Sequence, residues 1–505
     1  PCDELRHEEH RCRLPDYDML YPAAVARKVK RSEILREPKA QEAVDGEFNK
    51  LATMPHPDGK GRGVWDLEGV KESREVREDA RVSGQTVHFG QIAELCFQKG
   101  SELEDDDPLK KYKGRHVFLG DNVKDQDFDY AIFQDLGSSP PTMEAATALD
   151  ALSCCPGYFQ KQSDAFSAYT QSFLGGGRGL GVPTYVTLPK HRWPDWWHGK
   201  FVNPVVPLIL SLYGHPDSGG YWEAHCEAAV EKCGWEKIEG WQSVFWHPVR
   251  KAMLVIYVDD FKLACKCEHS EELWGALRKE IVLDPPSDPD RFLGCYLESF
   301  CATPADVGFI MQNQPDLHPR GQDFPSPLPP STSTVKVRGF LRNMGKYLES
   351  AVDKYCAVAG LLKTDLKTVA TPFLDESLFQ QGCCETPSAD EPIGSDIEEG
   401  GETPKLEGGN SPGQPLATGK LQKEAASIIM TVMFCARLAR YDLLRPVGHL
   451  ATYLHNWTEE CDRKLLRLMS YINCSTGDRA LGFVGDPTDQ LWLALFADAD
   501  FAGDK

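Results

Sequence analysis

The sequence predicts an α+β protein, on three observations. Short apolar runs bounded by turn residues recur through the middle of the chain, which reads as strands. Ala-rich stretches with helical apolar spacing stand between some of them. The two kinds do not alternate strictly, so a parallel sheet built from βαβ units is not implied. Composition agrees with a folded protein: 41% of the residues are hydrophobic and 26% charged, which excludes a wholly disordered or fibrous chain. At roughly 150 residues per domain, 505 residues suggest about three domains.

Taken in order, residues 1–107 form a charged, mixed extension to which no chemistry is assigned. Helical pieces are expected there over Ala40 to Leu51 and over Gln91 to Gln98. Beyond Tyr112, His116 to Leu119, Thr184 to Leu188, Ser243 to His247 and Met253 to Val258 read as strands. Glu144 to Leu152 and Trp222 to Cys233 read as helices. A Pro- and Ser-rich break at residues 314–334 precedes an expected helix from Val337 to Leu362. Residues 381–418, rich in Gly, Pro, Ser and acids, are expected to be a disordered linker. Leu421 to Ile472 reads as two or three helices, and Leu491 to Phe496 as a last strand.

Several function classes are excluded or weakened. Apolar runs such as Met253 to Val258 fall far short of the ~20 residues a membrane helix needs. The 17 Cys are odd in number and scattered, which fits a reducing intracellular compartment better than a disulfide framework. Cys2, His7, His10 and Cys12 are metal-capable, but their spacing matches no standard zinc pattern; a polar terminus is the plainer reading. The net charge of -21 argues against a nucleic-acid binder when taken alone. Much of it is local, however. Glu385 to Glu407 holds eight acids and one base, and Glu102 to Asp107 holds five acids. Global charge therefore does not decide the partner. The chain opens without a secretory leader and stops directly after an apolar segment, so it reads as a fragment of something longer.

Met253-Leu-Val-Ile-Tyr-Val-Asp259-Asp260-Phe-Lys-Leu-Ala carries the strongest chemical signal. An apolar strand runs into two adjacent acids and a second strand leaves at once, which makes a hairpin with carboxylates at its tip. Adjacent like charges repel and shift each other's titration, so a purely structural gain is small. Two divalent cations ~3.5–4 Å apart, held by carboxylate oxygens, would explain the pattern through phosphoryl transfer. Asp is also a common turn residue, so an acidic turn is the bland reading. Asp164 is the candidate third carboxylate; taken by itself, a helix N-cap or turn Asp is the plainer reading.

These residues resemble the reverse transcriptase of copia-type LTR retrotransposons, through the Tyr-Val-Asp-Asp hairpin with Asp164 upstream. Further ordered matches support the resemblance. Lys113-Gly-Arg115-His-Val-Phe-Leu-Gly120 resembles a fingers motif, and Asp164 to Tyr169 the first palm motif. Tyr185-Val-Thr-Leu-Pro189 and Ser211-Leu-Tyr213-Gly214, with Ser218 and Trp222, resemble the segments that follow. Phe292-Leu-Gly294 with Glu298 resembles the stretch after the catalytic hairpin. Ala436 to Ala451 resembles a connection helix, and Ala497-Asp498-Ala-Asp500-Phe-Ala-Gly-Asp the start of RNase H. The resemblance covers about residues 108–505.

It implies a right-hand polymerase: fingers and palm with an antiparallel palm sheet over 108–300, a thumb-like region over 301–380 and a helical connection over 419–488. A truncated RNase H start would follow over 489–505. It also implies roles. Asp164, Asp259 and Asp260 would bind two Mg²⁺ (or Mn²⁺). Lys113 and Arg115 would contact the dNTP phosphates, with Ala165 beside the nucleotide and Tyr169 as a steric gate against a ribose 2′-OH. Tyr213, Gly214 and Asp217 would lie near the nucleotide. Where the family has Leu-Lys-Gln, this chain has His215-Pro216-Asp217, which removes a positive charge and adds a negative one. Asp498 would be the first RNase H carboxylate of an incomplete site, so RNA cleavage is not expected. The expected partners are an RNA or DNA template-primer and dNTPs, with other Pol or Gag products. The expected location is intracellular, in a cytoplasmic virus-like particle or the nucleus. A catalytically decayed or co-opted copy that binds nucleic acid or a partner is the second expectation. The glycine-rich Gly175 to Gly181 reads as a flexible turn rather than a phosphate loop.

Overall fold

A computed structural model describes residues 26–99, 107, 110–133, 141–303, 337–372 and 418–491. Expectations for Cys2, His7, His10 and Cys12, for the break at 314–334, for nearly all of the linker and for the last strand with Asp498 lie outside these residues. The molecule mixes helix and sheet and divides into two compact units, with breaks between residues 341 and 342 and between 480 and 481. Among the described residues no helix is long and apolar enough to cross a membrane.

The first unit begins with β1 (Ala26–Lys28), α1 (Arg31–Ile34), α2 (Pro38–Thr53), β2 (Lys71–Glu72) and α3 (Ser73–Ser83). β3 (His88–Lys99), β4 (Lys111–Phe118), α4 (Met143–Cys154), β5 (Tyr158–Asp164), β6 (Thr184–Thr187) and β7 (Pro204–Pro207) follow. One sheet has the order β1-β3-β6-β7-β2, with β4 paired to β3. The charged N-terminal residues are therefore built into this sheet. α2 starts on Pro38, whose fixed φ suits a first helical position, and its Val44 and Leu51 are buried.

The expected helix at Gln91 to Gln98 is instead the body of β3. Ile92 to Lys99 pair with β4, and Phe97 to Lys99 also with β1, so the segment is hydrogen-bonded along its length by partners distant in sequence. Ala, Glu, Leu and Gln favour helix by only fractions of a kcal/mol each, and those pairings override them.

The second sheet holds the candidate site. Its order is β5-β11-β10-β9-β8. The new members are β8 (Glu236–Lys237), β9 (Val244–His247), β10 (Ala252–Tyr257) and β11 (Asp260–Lys266), with α5 (Ser218–Lys232) before them and α6 (Ser270–Glu280) after. Every pairing in it is antiparallel. Both faces are covered, which is why β10 reads as a continuous apolar run rather than an alternating one. Met253 and Val255 pack with Ala145 and Leu149 of α4. Leu254 and Ile256 pack with Trp222 of α5 and with Leu273, Trp274 and Leu277 of α6. Lys262 of β11 is buried on the α4 side, where its Nζ donates to the Asp150 carboxylate.

A third sheet runs β12-β13-β14-β15, formed by β12 (Arg291–Phe292), β13 (Cys295–Ala302), β14 (Val337–Asn343) and β15 (Ala480–Val484). The helix expected from Val337 therefore begins as a strand, because strands on both sides pair with it. Helix starts only at α7 (Gly345–Ala359). The second unit packs α7 with α8 (Gln422–Leu438), α9 (Leu444–Thr452) and α10 (Glu459–Cys474). Leu348, Val352, Ile428, Val432, Leu465 and Leu468 are buried there.

Candidate active site

The site forms where β5 ends and the β10–β11 hairpin turns. Antiparallel register sets Asp260 directly opposite Asp164, and Tyr257 opposite Asp260. Val258 and Asp259 are the two residues between the strands. Val258 sits at φ 55°, a left-handed conformation that costs a β-branched residue about 1–2 kcal/mol. Two hydrogen bonds hold this turn in place. Trp222 Nε1 of α5 donates to Val258 O at 2.7 Å, and Ala165 N donates to Asp259 O at 2.6 Å. Strain at a turn clamped from both sides is expected where function over-determines the backbone.

A further carboxylate comes from the segment after α6. Asp284 N donates to Asp164 O at 2.9 Å, and Ser163 Oγ donates to Asp284 O at 2.7 Å. Sequence reasoning passed over Asp284; its only local signal is an acid before Pro-Pro. The electrostatics record the crowding. Burial, then Asp259 and Asp284, push the Asp164 carboxyl above its usual value, and Lys113 opposes them. Burial, then Asp259 and Asp164, push Asp260 up to about 7, against Arg291.

Tyr169 follows in the short 3₁₀ turn Ala168–Gln171. Its half-buried ring meets the edge of Tyr213 with centroids 4.4 Å apart. Burial and the negative charge of Asp259 raise the hydroxyl pKa of both tyrosines. Tyr213 is stitched to the end of β4: Phe118 N donates to Tyr213 O at 2.8 Å. Gly214 is required there, since it has φ 91° and a Cβ would lie 2.0 Å from Phe118 O. β4 carries Lys113 and Arg115. The Arg115 guanidinium lies 5.8 Å from the Tyr213 ring centre. Burial, then the positive charge of Arg115, lowers Lys113 to about 8.

Asp164, Ala165, Tyr169, Tyr213, Asp259 and Asp260 thus share one neighbourhood, with Lys113 and Arg115 at its border. Asp217 has His215, His88 and Tyr221 among its neighbours. It is buried at the start of α5, its backbone N donates to His215 Nδ1 at 3.2 Å, and its charge acts on His88 and Tyr221. In the Gly175 to Gly181 turn, Arg178 pairs with Asp58 at 2.7 Å.

Three carboxylates offer hard oxygen donors of the kind Mg²⁺ or Mn²⁺ accepts, and the raised pKa values of Asp164 and Asp260 reflect burial together with the negative charge of neighbouring carboxylates. Among the described residues no group of three or more His, Cys, Asp and Glu side chains already converges as a metal cage. Comparison with protein-family models and with curated proteins finds no match for this chain.

Proposed function

We propose that this chain is the reverse transcriptase segment of a retrotransposon polyprotein, an RNA-directed DNA polymerase of right-hand fold. One observation carries the reading: Asp164 and Asp260 face each other across neighbouring strands beside Asp259, and burial together with mutual repulsion raises the carboxyls of Asp164 and Asp260. Carboxylates held in mutual repulsion destabilise a sheet unless cations join them. Asp164, Asp259 and Asp260 would hold Mg²⁺ or Mn²⁺. Bound there, the ions supply charge neutralisation for the attacking and leaving oxygens of a phosphoryl transfer.

The remaining chemistry belongs to the chain's own groups. Arg115 offers a planar fork and Lys113 a point charge for the phosphates of an incoming nucleotide. Burial favours loss of the Lys113 proton and phosphate favours its retention, so nucleotide binding is coupled to that proton. Tyr169, packed against Tyr213, would stand beside the sugar of the nucleotide. The turn at Val258 is clamped before substrate arrives, so little reorganisation is needed at the moment of reaction.

Primer extension on an RNA template, in Mg²⁺ or Mn²⁺, tests the proposal against the Asp259→Asn/Asp260→Asn double variant. Extension by the parent and a loss of at least ~10³-fold in the variant is the expected result. A folded parent that binds template-primer but adds no nucleotide would overturn it.

A further inference from the structure

Helix α2 is drawn onto β4 at Gly114, the residue between the two candidate phosphate-binding cations. A Cβ on Gly114 would lie 2.3 Å from Ala43 O and 2.7 Å from Val44 Cα, so only glycine allows this approach. One turn after Ala43 the helix presents Glu47, and then Lys50. Glu47 meets Arg115 at 3.3 Å and Lys50 at 3.7 Å. Lys50 Nζ lies 4.3 Å from the ring centre of Phe166, two residues after Asp164. Lys113 is close enough for its charge to act on Asp164, and it feels both Glu47 and Lys50. An N-terminal helix to which the sequence assigned no chemistry thus places one acid and one base at the border of the carboxylate centre.

We propose that Glu47 is a displaceable carboxylate, holding the Arg115 guanidinium until the phosphate chain of an incoming nucleotide takes its place, and that Lys50 joins Lys113 and Arg115 in holding that chain. The inference rests on the reading of the carboxylate centre as a nucleotidyl-transfer site. A guanidinium fork accepts carboxylate and phosphate in the same planar geometry, so one replaces the other without rebuilding the site. A triphosphate brings several negative charges and engages all three cations, whereas Glu47 brings one. Anions with a single weak charge do not displace it, so the ion pair also selects for polyphosphate. Glu47 acts through Arg115 and is a positioning residue.

The test titrates the full chain with inorganic tripolyphosphate by calorimetry, and measures dNTP dependence in primer extension. Glu47→Gln preserves the shape and removes the charge. It is expected to bind tripolyphosphate roughly two- to fivefold tighter, the scale of a partly exposed ion pair, and to lower KM for dNTP by a similar factor with kcat little changed. Lys50→Gln and Arg115→Gln are expected to weaken binding. Tripolyphosphate affinity equal in parent and Glu47→Gln, with Arg115→Gln weakened, would overturn the displacement while leaving the nucleotide site intact. A parent that binds no tripolyphosphate would overturn both. A weaker Glu47→Gln would overturn the displacement too, by making Glu47 a support for Arg115 rather than a competitor. Thermal unfolding of each variant checks that the fold persists.

Discussion

Asp260 is a residue the fold keeps at a cost to its own stability. Its carboxyl is raised from the usual 3.8 to about 7 by burial and by Asp259 and Asp164. The folded state therefore holds a proton that the unfolded chain has released across that window, and the contribution of Asp260 to stability falls as pH rises from about 4 through 7. Asp260→Asn removes the charge while keeping shape and hydrogen-bonding capacity. It is expected to raise stability at pH 8 by about 1–2 kcal/mol, after allowing for solvent screening, and to abolish extension. Thermal melts of parent and variant at pH 8 and at pH 5 check this; the gain should shrink at the lower pH. An equal gain at both would place its origin outside the carboxylate repulsion.

At the scale of elements, the sheet that carries the carboxylates is fastened to α4 by a buried ion pair. Lys262 and Asp150 side chains are 2% and 1% exposed. Burying both charges is costly, and removing one takes from the other its opposite charge in the pair. Lys262→Met is expected to destabilise the chain by about 3–5 kcal/mol, whereas Lys262→Met with Asp150→Leu should fall within roughly 2 kcal/mol of the parent. Denaturant melts of the single and double variants measure the difference. A double variant as damaged as the single would mean that Asp150 has a role independent of Lys262. The pair was not legible in the sequence. Lys262 stands in an apolar strand as Phe-Lys-Leu-Ala, and nothing local distinguishes a lysine at an exposed edge from one sealed under a helix.

For the molecule as a whole, acid stability is set partly by histidines that the fold holds neutral. His215 lies between Phe118 and Phe133, with ring centroids 4.9 and 5.3 Å away, and burial lowers it to about 3. Burial also lowers His88 and His225. The unfolded chain takes up protons on these rings near pH 6.5 while the folded chain resists, so their contribution to stability falls as pH is lowered from about 6.5 toward 3. His215 alone contributes a slope of at most ~1.4 kcal/mol per pH unit. His215→Asn keeps an acceptor for Asp217 N and removes the titration. It is expected to be less stable at pH 7 yet to lose less between pH 6.5 and 4.5, a range above the Glu94 carboxyl, which is lowered to about 2. Urea midpoints across that range decide it; unchanged slopes would remove His215 from the account.

By itself the sequence determined the local structure wherever one signal ruled. Continuous apolar runs marked β9 and β10, Ala-rich periodicity marked α4 and α5, and the adjacent acids after Val258 marked the hairpin tip. These are short-range effects, written in neighbouring side chains. Tertiary structure decided whatever depended on a distant partner. Gln91 to Gln98 is a strand because β1, β4 and β6 pair with β3, and Val337 begins a strand because β13 and β15 flank it. Asp284 joins the carboxylates, Glu47 reaches Arg115, and Asp217 turns to His88 and Tyr221. No spacing in the chain announces those meetings, because burial and Coulomb interactions act through space between segments that only the fold brings together.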